Sequence, residues 1–235
     1  KDCALAFRFS AIDHLPEPPT PWAAKGTLVH RALELLYCEE PQDRTLDAAL
    51  AHLERAVPEV LGGREYVDLV LTDDERAAFL ADADRLVRNC FVLENPAAVR
   101  PIGLELRMEA KIGALSLRGI IDRLELDEDG ELVVTDYKTG RTPSVQYERG
   151  RLGGVHFYAY LCERLFGRRP ARVQLMYLGD PTVITAVPTE QSIRFLPKRT
   201  AAVWSAIERA VTMDDFRPRV GALCGSCFWR DWCPA

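Results

Sequence analysis

Asp136 and Lys138 end the apolar run Leu132-Val133-Val134-Thr135. Side chains alternate along a strand, so Leu132, Val134, Asp136 and Lys138 are expected on one face. Upstream, the segment Asp127-Glu128-Asp129-Gly130 has turn chemistry. If Glu128 to Gly130 form a three-residue hairpin loop, Gly130 fills the left-handed position such loops need. Asp127 then faces Glu131, and Asp122 falls opposite Asp136 on the same face. A shift of one residue would part the two acids. Two carboxylates this close repel unless a cation lies between them, and carboxylate oxygens suit a hard divalent metal. A lysine beside that metal orients a water or neutralises charge developing on a phosphate. The residues alone leave a second reading open, a salt-bridged surface hairpin.

Cys224, Cys227 and Cys233 form a second constellation, in CGSCFWRDWC. Three thiols so close suit a metal site, which wants four ligands. The remaining isolated cysteine near an end is Cys3. Zinc, an iron–sulfur cluster, and inert or disulfide-bonded thiols all stay open on spacing alone. Cys38, Cys90 and Cys162 lie in apolar helical patterns and are expected in the core. Seven cysteines are too few and too unevenly placed for a secreted disulfide scaffold.

The elements that hold these groups follow from periodicity. Residues 11–22 are proline-rich and read as an extended connector. Leu28, Ala32, Leu35 and Leu36 mark one face of a helix from Gly26 to about Cys38. Two more helices are expected near Leu46–Val57 and Asp73–Leu93. Strands are expected at Leu104–Ile112, Leu115–Leu126, Leu132–Lys138, Val173–Leu178 and Val183–Val187. A helix over Tyr147–Phe166 and another over Ile193–Met213 complete the order. The fold class is therefore α/β, with a helical N-terminal part and a small C-terminal appendage. Glu105, on the first strand, is expected to be an ordinary partner of Arg118 or Arg107.

The net charge of −5 over 235 residues argues against a generally sticky nucleic-acid binder. The charge is uneven, however. Lys138, Arg141, Arg149, Arg151, Arg164, Arg168, Arg169 and Arg172 face only Glu148 and Glu163 in that stretch. The run is either a solvated helical face or a phosphate-facing patch beside the third strand. No apolar run approaches the ~18 residues of a membrane span. No signal peptide is recognisable, and a cytoplasmic location is expected. The chain opens on Lys1 rather than Met, which leaves its natural start open.

The segment GIIDRLELDEDGELVVTDYKTG resembles the core of the PD-(D/E)XK nucleases, in their RecB-like exonuclease branch. Gly119-Ile120-Ile121-Asp122 matches the family's G-x-x-D, and Asp136-Tyr137-Lys138-Thr139-Gly140 matches D-Y-K-T-G. Gly26-Thr27-Leu28-Val29-His30 matches its helical G-T-x-x-H. The resemblance implies a restriction-endonuclease-like core with a mixed sheet. It implies Mg²⁺ or Mn²⁺ held by His30, Asp122, Asp136 and the backbone carbonyl of Tyr137, with Lys138 catalytic. Tyr158 fits the tyrosine of the family's Q-x-x-x-Y, but Gly154 stands where its glutamine belongs. An iron–sulfur branch of the family carries one cysteine before the core and three after it. For this chain that implies a [4Fe–4S] cluster on Cys3, Cys224, Cys227 and Cys233, stapling the two ends together. Tetrahedral Zn²⁺ is the rival. Phe228, Trp229 and Trp232 would shield the cluster or stack on bases.

The expectation is a single nuclease domain over residues 1–235. Its helical part spans 1–100, its α/β core 101–190, and 191–235 carries the last helix and the cysteines closed by Cys3. The expected activity is metal-dependent DNA exonuclease cleavage of single strands or ends in repair or recombination, with Arg141, Arg149 and Arg151 on the DNA. Two rivals are a catalytically weakened DNA-binding module and the nuclease domain of a larger helicase–nuclease. No G-x-x-x-x-G-K-[ST] motif lies in this chain, so it holds no ATP-driven motor. A helicase or repair partner is left open.

Overall fold

The computed structural model describes residues 3–143 and 153–235. The chain divides into two compact units, Thr20–Lys198 and Lys1–Pro19 with Arg199–Ala235.

In the larger unit three helices start on threonine caps. The Thr20 hydroxyl accepts from the Ala23 amide at 3.3 Å and Pro21 takes the first turn, so α2 spans Pro21–Tyr37. Its start lies five residues before the expected Gly26, because the proline-rich stretch ends in a helix signal rather than running on as connector. Thr45 caps α3 (Leu46–Leu61). Thr72 and Glu75 form a capping box on α4 (Asp73–Leu93), whose first turn carries Asp73, Asp74 and Glu75. Leu28, Leu33, Leu36, Leu53, Phe79 and Leu86 join these helices in one core. Cys38 is exposed, not core as expected, because α2 ends there and Cys38 is its C-cap. Cys90 and Cys162 are buried.

The sheet is mixed, in the order β1-β2-β3-β4-β5. Its strands are β1 (Arg100–Ile112), β2 (Leu115–Leu126), β3 (Leu132–Lys138), β4 (Arg172–Tyr177) and β5 (Thr182–Ala186). Only β3 and β4 run parallel. The crossover between them contains α5 (Gly153–Phe166), the described part of the helix expected from Tyr147. One sheet face packs on the α2–α4 core through Tyr137 and Met176. The other packs on α5 and on Ile193 of α6 (Glu190–Met213) through Ile121, Leu124, Leu132 and Val134.

The hairpin forms in the expected register. Arg123 pairs with Thr135 and Leu126 with Leu132, the Asp127 amide donates to the Glu131 carbonyl at 3.0 Å, and Gly130 is left-handed at φ 76°. A second feature interrupts regular alternation. Leu104 pairs with Arg123 and Leu106 with Ile121, which sets Glu105 opposite Asp122. Leu104 packs with the α2–α4 core and Leu106 with the α5 core. Ile121 likewise joins the α5 core, whereas Arg123 stacks on Tyr37 of α2. Residues two apart on a strand normally share a face, so both strands turn over at the Glu105–Asp122 pair. Glu105 takes up the turn with φ 42°, a costly conformation for a non-glycine residue.

In the smaller unit α1 (Ala4–Ala11) packs near the C-terminal segment. Arg8 bonds Asp13 at 3.1 Å and Asp214 at 2.7 Å, and Phe9 meets Trp229 with ring centroids 6.4 Å apart. Trp229 is the one buried apolar side chain among this unit's described residues.

Candidate active site

The turned-over point of the sheet is where the chemistry-bearing residues meet. The Asp122 carboxylate accepts a hydrogen bond from the Tyr137 amide at 2.7 Å. Its Oδ2 lies 3.6 Å from Nδ1 of His30 on α2, and Glu105 lies 3.9 Å from the same nitrogen. His30, Glu105 and Asp122 each offer a ligand atom, all within 4.8 Å of one another. His30 also bonds the Tyr137 backbone, and its ring meets the Tyr137 ring edge-on at 5.8 Å. Asp136 points to the α5 side of β3. It is ion-paired with Lys138 and accepts from the Tyr158 hydroxyl at 3.3 Å. Leu132, Val134 and Asp136 therefore share the α5 face, as alternation requires.

Electrostatics marks the same spot. Burial, then the Asp136 charge, pushes the Asp122 carboxyl up to about 7. Burial and the neighbouring Asp122 charge raise Glu105. Burial raises the Tyr158 hydroxyl, and the Asp136 and Asp122 charges add to it. Burial lowers His30 against the pull of Glu105 and Asp136, so the imidazole is neutral with a lone pair free to donate. A neutral imidazole within reach of carboxylates that resist sharing negative charge is a donor set for a divalent cation.

A family model described as the PD-(D/E)XK nuclease superfamily matches residues 1–234. The chain belongs to this superfamily. Nucleases of the superfamily use divalent metals, and the His30–Glu105–Asp122 group gives this one a place to hold an ion. A candidate exonuclease from Eubacterium rectale shares the fold, with a TM-score of 0.58 at 11% identity over 96% of this chain and 80% of that one. A stretch of 122 residues, 49% of this chain, is 30% identical to an ATP-dependent helicase/deoxyribonuclease subunit of Streptococcus mutans serotype c (strain ATCC 700610 / UA159). The nuclease chain spans only 11% of that protein's length.

Two expectations need correction. Glu105 is no ordinary partner of Arg118 or Arg107: Arg118 bonds Glu109 at 2.9 Å, and Glu105 stands with His30 and Asp122. The basic run is not one patch beside β3. Arg168 bonds Glu131 at 3.0 Å and Arg172 bonds Asp127 at 2.9 Å, at the hairpin end of the sheet remote from Lys138. Arg149 and Arg151 lie outside the described residues. Arg141 is exposed and lines a cavity of about 420 Å³ with Lys25, Arg85, Thr139 and Gly140. Gly154 is exposed, and a side chain begun there would meet nothing within 4 Å.

In the smaller unit Cys3, Cys224, Cys227 and Cys233 line one cavity of about 880 Å³, and none is disulfide-bonded. The Cys3 sulfur accepts from the Arg219 amide and the Cys224 sulfur from the Gly221 amide, each at 3.4 Å. Burial opposes ionisation of Cys3, but the amides of Arg219, Ala6 and Leu5 outweigh it and lower the thiol's pKa. Trp229 and Phe228 form part of the cavity wall, while Trp232 is 56% exposed. No described helix is long and apolar enough to cross a membrane.

Proposed function

We propose that the chain is a metal-dependent DNA exonuclease acting on single strands or DNA ends in repair or recombination. The observation that carries this reading is the convergence of His30, Glu105 and Asp122 beside the Asp136–Lys138 pair. His30, Asp122, Asp136 and the Tyr137 carbonyl would hold Mg²⁺ or Mn²⁺, with Glu105 as a further carboxylate. The bound ion would supply Lewis acidity at the phosphoryl oxygen and lower the pKa of the attacking water. Lys138 orients that water and neutralises charge growing on the phosphate. Tyr158 fixes the Asp136 carboxylate on which Lys138 rests. Arg141, together with Arg149 and Arg151, contacts phosphates of the strand.

Four cysteines around a roomy cavity, two of them accepting amide hydrogen bonds, fit a thiolate-bound [4Fe–4S] cluster. Amide donors favour thiolate over thiol. A single Zn²⁺ would draw the sulfurs into a much tighter tetrahedron, with bonds of about 2.3 Å. The cluster's role is to staple a unit with almost no core of its own.

The similarity to a helicase/deoxyribonuclease component supports a second reading, in which this is the nuclease domain of a larger helicase–nuclease. One experiment tests the main reading. Anaerobically purified protein is incubated with end-labelled single- and double-stranded DNA, with Mn²⁺ or with excess EDTA. Cleavage from ends that requires the metal is expected. Cleavage that survives EDTA overturns the reading.

A further inference from the structure

The guanidinium of Arg123 is completely buried beside the proposed metal site. Burying such a charge costs several kcal/mol unless it is well paired. Arg123 forms a bidentate pair with Glu94, at 2.6 and 2.7 Å, and an ion pair with Glu125. It lies over the Tyr37 ring at 4.5 Å. Nη1 also donates to the Tyr137 hydroxyl at 2.7 Å. Tyr137 sits between Asp136 and Lys138, and its main chain serves the site twice. Its amide holds the Asp122 carboxylate, and its backbone also bonds His30. Its ring is the surface against which the His30 ring stands.

We propose that Arg123 is a positioning residue for the metal site, acting through Tyr137 to hold Asp122 and His30 in register. Resting on the metal-site reading above, this gives the turned-over strand a purpose. Ordinary alternation would set Arg123 on the same face as Ile121, toward α5. The break at Asp122 instead delivers Arg123 to the α2–α4 face, where Tyr137 and its Glu94 anchor are. A merely structural arginine would matter to stability and be indifferent to metal. A positioning arginine sets metal affinity, because outer partners that orient ligands typically change it ~10- to 100-fold.

The test compares Tyr137→Phe with Thr135→Val by calorimetric titration of Mn²⁺ into the full-length protein. Tyr137→Phe deletes only the hydroxyl that Arg123 holds. Thr135→Val deletes a different Arg123 contact, at 3.4 Å, that does not lead to the site. Tyr137→Phe should weaken Mn²⁺ binding about 10-fold. It should lower kcat at limiting Mn²⁺, recover at high Mn²⁺, and leave KM for DNA unchanged. Thr135→Val should bind Mn²⁺ as the wild type does. Arg123→Lys should follow Tyr137→Phe, and if it fails to fold the tyrosine variant still decides. Asp122→Ala separates the two levels of argument. If it abolishes Mn²⁺ binding while Tyr137→Phe binds normally, the positioning role is wrong and the metal site stands. If the wild type binds no Mn²⁺, or Asp122→Ala binds it unchanged, the metal-site reading falls and this inference with it.

Discussion

Lys138 and Asp122 sit within one small site, yet their substitutions should separate. Lys138→Ala removes a charge that acts on the reacting phosphate and leaves the His30, Glu105 and Asp122 donors in place. Turnover should fall by several orders of magnitude while Mn²⁺ affinity stays close to that of the wild type. Asp122→Ala should lose both. Single-turnover cleavage and Mn²⁺ titration of the two variants check this, and a Lys138→Ala protein that still cleaves at the normal rate would remove the lysine from the mechanism. Glu105→Gln belongs to the same scale. It keeps the shape and removes one negative charge, so it should weaken Mn²⁺ binding without unfolding the strand. Asp122, Asp136 and Lys138 are legible in the sequence because a three-residue loop fixes their register arithmetically. Glu105 follows from the same arithmetic applied to the preceding hairpin. The β1–β2 turn at Gly113-Ala114, with Gly113 at φ 59°, pairs Ile112 with Leu115 and carries Glu105 opposite Asp122. What no periodicity could reveal is the turn-over of both strands at that pair, since it depends on which helix layer each side chain meets. Arg123 is hidden for the same reason: a charged residue in a strand reads as solvent-facing until its buried partners are seen.

At the scale of elements, the docking of α5 on the sheet depends on Gly119, the glycine of G-x-x-D. A β-carbon there would stand 2.7 Å from the Phe157 ring and 3.0 Å from Leu161. Both belong to α5, the helix that brings Tyr158 to Asp136. Gly119→Ala should therefore push α5 outward and cost about 1–3 kcal/mol as overpacking. Denaturant unfolding should show a lower midpoint, and cleavage should fall as Tyr158 leaves Asp136. Adding Phe157→Leu should restore most of the stability by making room. A Gly119→Ala protein as stable as the wild type would show that the helix yields freely and that the glycine has another reason. Most elements here are readable from period and turn chemistry, with Asp73–Leu93 and Leu132–Lys138 expected at their observed bounds. The start of α2 is not, because Thr20-Pro21 is both the tail of a proline-rich stretch and a cap with its preferred first residue. Composition favours the connector; the Thr20 hydrogen bond to Ala23 favours the helix.

For the molecule as a whole, the sequence points to four cysteines from opposite ends but not to how Cys3 is held. Residues 4–11 carry no capping side-chain hydrogen bond, so α1 owes its place to tertiary contacts such as Phe9 with Trp229. Such contacts are few, and one buried apolar side chain is a small core for a unit drawn from both ends of the chain. If a cluster bound to Cys3, Cys224, Cys227 and Cys233 holds that unit, loss of any one ligand should loosen it. Cys3→Ser and Cys227→Ser should both lose the cluster's visible absorbance. Limited proteolysis should then cut both variants early within 3–19 and 199–235, while residues of the β2–β3 hairpin stay protected. Cys38→Ser is the control: its thiol is exposed and lines no part of the cavity. It should keep colour and resistance alike. Metal analysis settles the identity, since about four irons with matching sulfide mean a cubane cluster and one zinc without iron means a tetrahedral site. A Cys3→Ser protein that keeps full colour and resistance would show that the N-terminal thiol is not a ligand. The amide bond from Arg219 to its sulfur would then serve only to seat α1 against the C-terminal segment.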